Sequence, residues 1–261
     1  MINPLDALAA TGRSVIGVCR YTGEISIFAG NGLSNVLRPP VFWRMLWQSF
    51  VEIAFFSLPV VALTAVFTGM VLALQSYTGF SRFNAESATA AVVVLSITRE
   101  LGPVLAALMV AGRIGASFAA EIGTMRVTDQ IDALTTLSTD PMKYLVTPRL
   151  VAGTLAMPLL VVVADVLGVM GGWLIATAKL GFGSGAYLVS TMDTLKTEDV
   201  VSGLVKAAVF GFVVTLMGCW HGYRSKGGAQ GVGQATTSAV VSASILILAL
   251  DYVLTEMFFA R

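Results

Sequence analysis

Arg99 and Glu100 stand side by side in the apolar run SITRELGPVLAAL, where charged side chains need a reason to be. A guanidinium in such a place can grip a phosphate through paired N–H donors, and a carboxylate can carry a proton or pair with a cation. Pro103 has no N–H, so the Arg99 carbonyl, four residues earlier, loses its helical donor. Gly102-Pro103 therefore predicts a kink beside the charged pair. A kink opens space between helices, which makes this the first candidate for a substrate site. The plainer alternative is an ion pair that fixes helix packing. Asp165, Lys206, Asp251 and Glu256 are the other candidates among the charged residues inside apolar runs. At 1.5 Å per residue, Arg99 lies about 16 Å from the outer end of its run, Asp165 about 20 Å, Asp251 about 12 Å and Lys206 about 9 Å. These depths permit Arg99 to meet Asp165 or Asp251, and Lys206 to meet Asp251.

Other chemistries find little here. Cys19, Cys219 and the single histidine, His221, make neither a disulfide framework nor a metal cluster. KGGAQGVG (226–233) is glycine-rich, but no Gly-Lys-Ser/Thr follows it, and the chain has no Walker motif. No catalytic or metal-ligating set stands out, so any work this chain does draws its energy from elsewhere.

The elements that would position these residues are membrane helices. Of 261 residues, 56% are hydrophobic and 12% charged, and the mean hydropathy is +0.82. An average soluble domain is about 25% charged, and a surface this poor in charge excludes both a soluble globule and a disordered chain. A net charge of +1 offers no footprint for nucleic acid. Five windows reach the roughly 20 apolar residues that cross a bilayer: 50–75, 88–112, 150–178, 200–220 and 236–259. Segments 76–87, 113–149, 179–199 and 221–235 read as loops. The fold class is all-α and polytopic. Gly168/Gly172 and Ala207/Gly211 have the small-xxx-small spacing that lets membrane helices approach closely.

Residues 1–47 read as a separate interfacial region, and 48–261 as the five-helix domain. The first part mixes Arg13, Arg20, Arg38 and Arg44 with short apolar stretches, then Pro39-Pro40, Trp43 and Trp47. This is the pattern of an amphipathic helix lying in the headgroup layer, broken at the prolines, with tryptophans at its edge. It shows neither a secretory signal nor transit-peptide character, which points to a bacterial inner membrane. Lys and Arg divide ten to five between the two sides of the membrane. The positive-inside rule puts the N-terminus in the cytoplasm and, after five crossings, the C-terminus outside.

Segment 113–149 is richer than a connector needs to be. Ile122, Met125, Ile131, Leu134 and Leu137 recur mostly at intervals of three, with Arg126, Asp129, Gln130 and Asp132 between them. One or two short amphipathic helices ending near Asp140-Pro141 are expected, a plausible dock for a soluble partner.

RELGPVLAALMVAGRIGASFAAEIGTMRVTDQIDAL (Arg99–Leu134) followed by DPMKYLVTPR resembles the MlaE/YrbE family of ABC-transporter permeases. GMVLALQ (Gly69–Gln75), GGAQGVGQATTSAVV (Gly227–Val241) and DYVLT (Asp251–Thr255) are similar to further blocks of that family, in order. The resemblance implies a homodimer of five-span subunits with an N-terminal interfacial helix and a cytoplasmic coupling helix. It also implies two cytoplasmic ATPase subunits that bind ATP and Mg, so that this chain holds no cofactor. An outer MCE-domain protein and, in some members, a STAS-domain subunit would complete the assembly. The cargo it implies is phospholipid or a related lipid, moved between the inner membrane and a periplasmic route to the outer membrane. Ala120–Leu134 would be the coupling helix, with Glu121, Gly123, Met125, Arg126 and Gln130 matching its pattern and Asp129 standing where glutamate is usual. The lipid cavity, at the dimer interface, would be lined by Leu72, Gln75, Phe80, Phe83, Arg99, Glu100 and Leu101. The competing reading is a proton-coupled secondary transporter using Glu100, Asp165 or Asp251, although no internal repeat supports it.

Overall fold

A computed structural model describes residues 4–36, 38 and 42–259; Pro39, Pro40 and Arg261 lie outside the described residues. The described residues hold ten α-helices and no strand. They are α1 (Pro4–Ser34), α2 (Trp43–Phe80), α3 (Thr89–Ser96), α4 (Gly102–Val110), α5 (Ala116–Val127), α6 (Gln130–Thr136), α7 (Thr147–Ala178), α8 (Ser184–Thr194), α9 (Thr197–Tyr223) and α10 (Gly228–Phe259). Five continuous helical stretches are long and apolar enough to cross a bilayer: 43–83, 86–127, 142–178, 197–223 and 228–259. All five expected spans are present, and each is longer than its apolar window.

The second span is built in pieces. α3, α4 and α5 follow one another through two π-helical turns, Ile97–Leu101 and Ala111–Gly115. The expected kink at Gly102-Pro103 is thus a widened turn just before the proline, which sits in the first turn of α4, where its missing N–H is tolerated. Because α5 continues the span, the first half of segment 113–149 is helix rather than loop. The chain then bends at Asp129, whose φ of 59° is a left-handed conformation that aspartate tolerates better than most residues. α6 follows, so two short helical pieces do form the elbow. Segment 179–199 also departs from its loop reading, since it contains α8, which packs on α3. Tyr187 of α8 is buried with its ring against Phe182.

Glycines set the helix spacing. A Cβ on Gly69 of α2 would run into the Gly168 carbonyl of α7, and one on Gly171 into the Val66 carbonyl. These two helices run parallel with their backbones touching. α7 crosses α9 antiparallel in the same way, Gly153 against Gly211. Both expected small-residue motifs are therefore contact seams. α9 lies at the centre, packed by α4, α5, α7 and α10. Phe118, Phe210, Met157 and Met217 fill the interior around it. α2, α7 and α10 present apolar side chains outward, among them Phe55, Phe67, Leu159, Val166, Ile245 and Leu248, as a lipid-facing surface requires.

α1 is tied to the end of the bundle that carries the elbow. Phe28 is buried with its ring 5.2 Å from Trp220, and the Thr147 hydroxyl donates to the Gly32 carbonyl at 3.1 Å. Glu24 pairs with Arg20 and Arg224. The hydrogen bond from Arg224, with that from Arg20 second, holds the Glu24 carboxyl below its ordinary value. Trp43 and Trp47, in the first turns of α2, are largely exposed.

Candidate functional site

At the end of the bundle opposite the elbow, the second span, α9 and α10 bring together Arg99, Glu100, Asp199, Lys206, Asp251 and Thr255. Lys206 is fully buried. Its ammonium reaches Glu100 Oε2 at 2.7 Å, Thr255 Oγ1 at 2.8 Å, Asp251 Oδ1 at 2.9 Å and the Arg99 carbonyl at 3.0 Å. That carbonyl is the one Pro103 deprives of its helical donor, and the lysine supplies the missing hydrogen bond. A lone ammonium in this interior would be prohibitively costly; surrounded by oxygens it is tolerated. The Thr255 hydroxyl donates in turn to Glu100 Oε1 at 3.1 Å or to the Asp251 carbonyl at 2.8 Å.

Arg99 turns the other way. Its Nε donates to Asp199 Oδ1 at 2.7 Å, and its terminal nitrogen lies 2.6 Å from the same oxygen. Asp199 is buried in the first turn of α9, where its Oδ2 accepts the Lys196 backbone N–H at 3.0 Å. The guanidinium also stands 4.3 Å from the centre of the Phe259 ring. So Arg99 meets neither Asp165 nor Asp251, the partners its depth permitted. Its long side chain reaches level with the start of α9 and the end of α10. Lys206 does meet Asp251, the partner its depth permitted, and Glu100 as well. Asp165 lies apart, one oxygen buried without a hydrogen-bond partner and pressed against the α-carbon of Gly102, where no larger residue fits.

The remaining residues expected at a lipid cavity are spread along the same half of the chain. Leu72 packs with Ala73, Val93 and Ile97. Leu101 lines an apolar crevice with Thr64, Thr68 and Ile97. Gln75 is exposed at the end of α2, Phe80 is half-buried there, and Phe83 is 79% exposed in the turn that follows. The single chain therefore sends the Glu100 side chain to Lys206 and the Arg99 side chain to Asp199, and leaves Gln75 and Phe83 exposed.

The elbow is organised differently. Glu121, Met125 and Gln130 line one open groove together with Ser117, Ala120 and Thr124. Glu121 is half-exposed and pairs at 2.6 Å with Arg149, which is buried at the start of α7 with its guanidinium 5.0 Å from the Phe118 ring. Arg126 pairs with Asp132 at 2.7 Å across the bend and lies 5.9 Å from the Tyr223 ring. Gln130 donates to Thr128 Oγ1 at 3.0 Å. Gly123 is buried where a Cβ would touch Ser225 and Val232. The result is a firm base with a polar, accessible rim.

A sequence profile of the family described as Permease MlaE matches residues 46–257. The chain belongs to that family. It is 57% identical over 255 residues to a probable ABC transporter permease protein of Rickettsia bellii, covering 98% of each chain. It is 34% identical, again over 98% of each chain, to the intermembrane phospholipid transport system permease protein MlaE of Haemophilus influenzae. It is also 37% identical to the chloroplast protein TRIGALACTOSYLDIACYLGLYCEROL 1 of Arabidopsis thaliana, over 90% of this chain and 67% of that one. This is an ABC transporter permease, and a multi-pass membrane protein.

For an MlaE-family permease, four contributors to these two sites escaped the sequence: Asp199, Phe259, Thr255 and Arg149. Thr255 stands four residues after Asp251, one turn along the same helix face, and that spacing was available. Asp199 follows Glu198 in the first turn of α9, an acidic helix start that the loop reading of 179–199 concealed. Nothing local marks Arg149 or Phe259, which gain their roles by packing.

Proposed function

We propose that this chain is the membrane half of a homodimeric, ATP-driven transporter that moves phospholipids between a bacterial inner membrane and a periplasmic MCE-domain protein serving the outer membrane. Its N-terminus faces the cytoplasm and its C-terminus the periplasm, and the ATP and Mg are held by a separate cytoplasmic ATPase. The observation that carries this is the end-to-end likeness to the phospholipid permease of Haemophilus influenzae, over 98% of both chains.

The geometry supports a mechanism. α5 is the direct continuation of the second span, so a push on the elbow groove travels along one helical stretch, through two π turns, to Arg99 and Glu100. Glu121–Arg149 carries the same push to α7, which touches α2 along the glycine seam. Closure of the ATPase would thereby compress the cavity of the dimer and expel its lipid. Arg99 keeps about a third of its side chain exposed beside Asp199, enough to approach a phosphate. At Glu100 and Asp251 a proton relay draws no support from this arrangement, because both engage Lys206, and Asp165 lies apart from them.

The test is a nanodisc pull-down of the tagged chain with mass spectrometry of bound proteins and lipids. Recovery of a Walker-motif ATPase near equal amounts, with phospholipid, is the expected outcome. Recovery of the chain without an ATPase, even after crosslinking, would end the reading.

A further inference from the structure

The short helix α8, between the end of α7 and the start of α9, is turned inside out for a helix in water. Its protein-facing side carries Tyr187, Ser190, Thr191 and Thr194, all buried or half-buried. Leu188, Val189 and Met192 point away, 43%, 60% and 72% exposed. At about 100° per residue these three share one arc of the helix, and exposed Asp193 and Ala186 stand beside it. The inward hydroxyls need little from the protein, because the helix itself satisfies them. Thr191 donates to the Tyr187 carbonyl at 2.9 Å, and Thr194 to the Ser190 carbonyl at 2.7 Å.

The neighbours of α8 fix its depth. Tyr187 packs with Ala90 of α3 and Ala176 of α7, and its hydroxyl reaches the flank of α7 beside Gly172. The helix therefore lies against the sides of two spans. At the elbow end, Arg113 donates to the Glu52 carbonyl, just inside exposed Trp47. From Arg113 back to Ala90 the second span covers about 35 Å. A hydrocarbon core is about 30 Å thick, and about 40–45 Å with its headgroup layers. With Arg113 at one boundary, α8 stands at the other, where acyl chains give way to headgroups. The outward row of α7, Val166, Met170 and Leu174, leads up to the turn that starts α8. Lys179 and Lys196 are exposed at the two ends of that connection, a common anchor at this depth.

We propose that α8 is an interfacial helix of the leaflet opposite the elbow, with Leu188, Val189 and Met192 among the upper acyl chains and Asp193 at water. Its depth and its continuity with the lipid-facing row of α7 decide for lipid as the occupant of the apolar arc. The polar side chains that a surface helix would show to water are then free to face the protein. The proposal rests on the chain crossing a membrane and is independent of what the chain transports.

Nitroxide labels on the full chain in phospholipid nanodiscs test this. Cys19→Ser removes the exposed native thiol, and Cys219 is buried. Single cysteines are then introduced as Ala186→Cys, Leu188→Cys, Met192→Cys and Asp193→Cys, all at exposed positions where a label leaves the packing intact. Oxygen, which concentrates among acyl chains, should relax the labels at 188 and 192 more than a water-soluble nickel chelate does. The order should reverse at 186 and 193, so that the depth parameter changes sign within one turn of helix. Nickel ahead of oxygen at all four positions would overturn the proposal and place α8 in water. Shielding of 188 and 192 from both reagents would overturn it too, and would make a protein surface the occupant. Neither failure touches the transport reading, which stands or falls on the ATPase.

Discussion

At one end of the bundle Lys206 is sealed from solvent among Glu100, Asp251 and Thr255, and Asp199 is buried against Arg99. At the other end Arg126 and Asp132 meet in the open, and Glu121 is half-exposed above a buried arginine. The same residue types serve opposite ends. Charges buried between helices cannot part without leaving one uncompensated, so they lock the second span, α9 and α10 in register. Charges on the elbow rim are solvated whether paired or not, which leaves them available to a partner. If a partner pushes the elbow, as proposed, this division supplies what that motion needs: a surface that can be gripped, and a far end that moves as a unit.

The sharpest way to break the contrast is Lys206→Met, which strands Glu100 and Asp251. It should cost about 3–5 kcal/mol, seen as a sharply lowered unfolding midpoint in detergent. Adding Glu100→Gln and Asp251→Asn should restore much of it. An unchanged midpoint in the single variant would show that the cluster is not a lock. Next in size is Gly69→Val, which drives a side chain into the Gly168 carbonyl and should cost about 1–3 kcal/mol. Gly79→Ala on the same helix, with open space around it, should be neutral or slightly stabilising.

Arg149→Met tests the connection between the ends. It removes the partner of a half-exposed glutamate and should cost about 1–2 kcal/mol, yet reduce lipid movement per ATP hydrolysed by more than that loss of folded protein explains. Arg126→Ala should change stability by less than about 1 kcal/mol while weakening capture of the ATPase; normal capture would remove Arg126 from the docking rim.

The smallest effect concerns α1. Because the Glu24 carboxyl titrates below its ordinary value of 4.5, its pairing with Arg224 contributes fully above that value and is lost as pH falls through the lowered one. A dye on Cys19, exposed on α1 while Cys219 is buried, should lose anisotropy as the medium is acidified below 4.5. Glu24→Gln should show the low anisotropy already at neutral pH.

Much of the architecture was present in the order of residues. Five apolar runs are five spans because a bilayer forces every backbone amide into a helix. The small residues at 168, 172, 207 and 211 lie on contact seams because only they admit a neighbouring backbone. The orphaned Arg99 carbonyl followed from Pro103 alone. Short helices were expected in the elbow and two are there, but the left-handed bend at Asp129 that divides Ala120–Leu134 between them was not. What tertiary structure decided was partnership. Depth along a helix could permit Arg99 to meet Asp165 or Asp251, but the side chain's length and the π turn beneath it carried the guanidinium to Asp199 and Phe259. Nor could periodicity reveal that Arg149 anchors Glu121, since a pair joined across two helices leaves no mark in either. One chain's sequence records which surfaces must be buried; which charges then face one another depends on how the helices rotate and cross, and that is settled only when they pack.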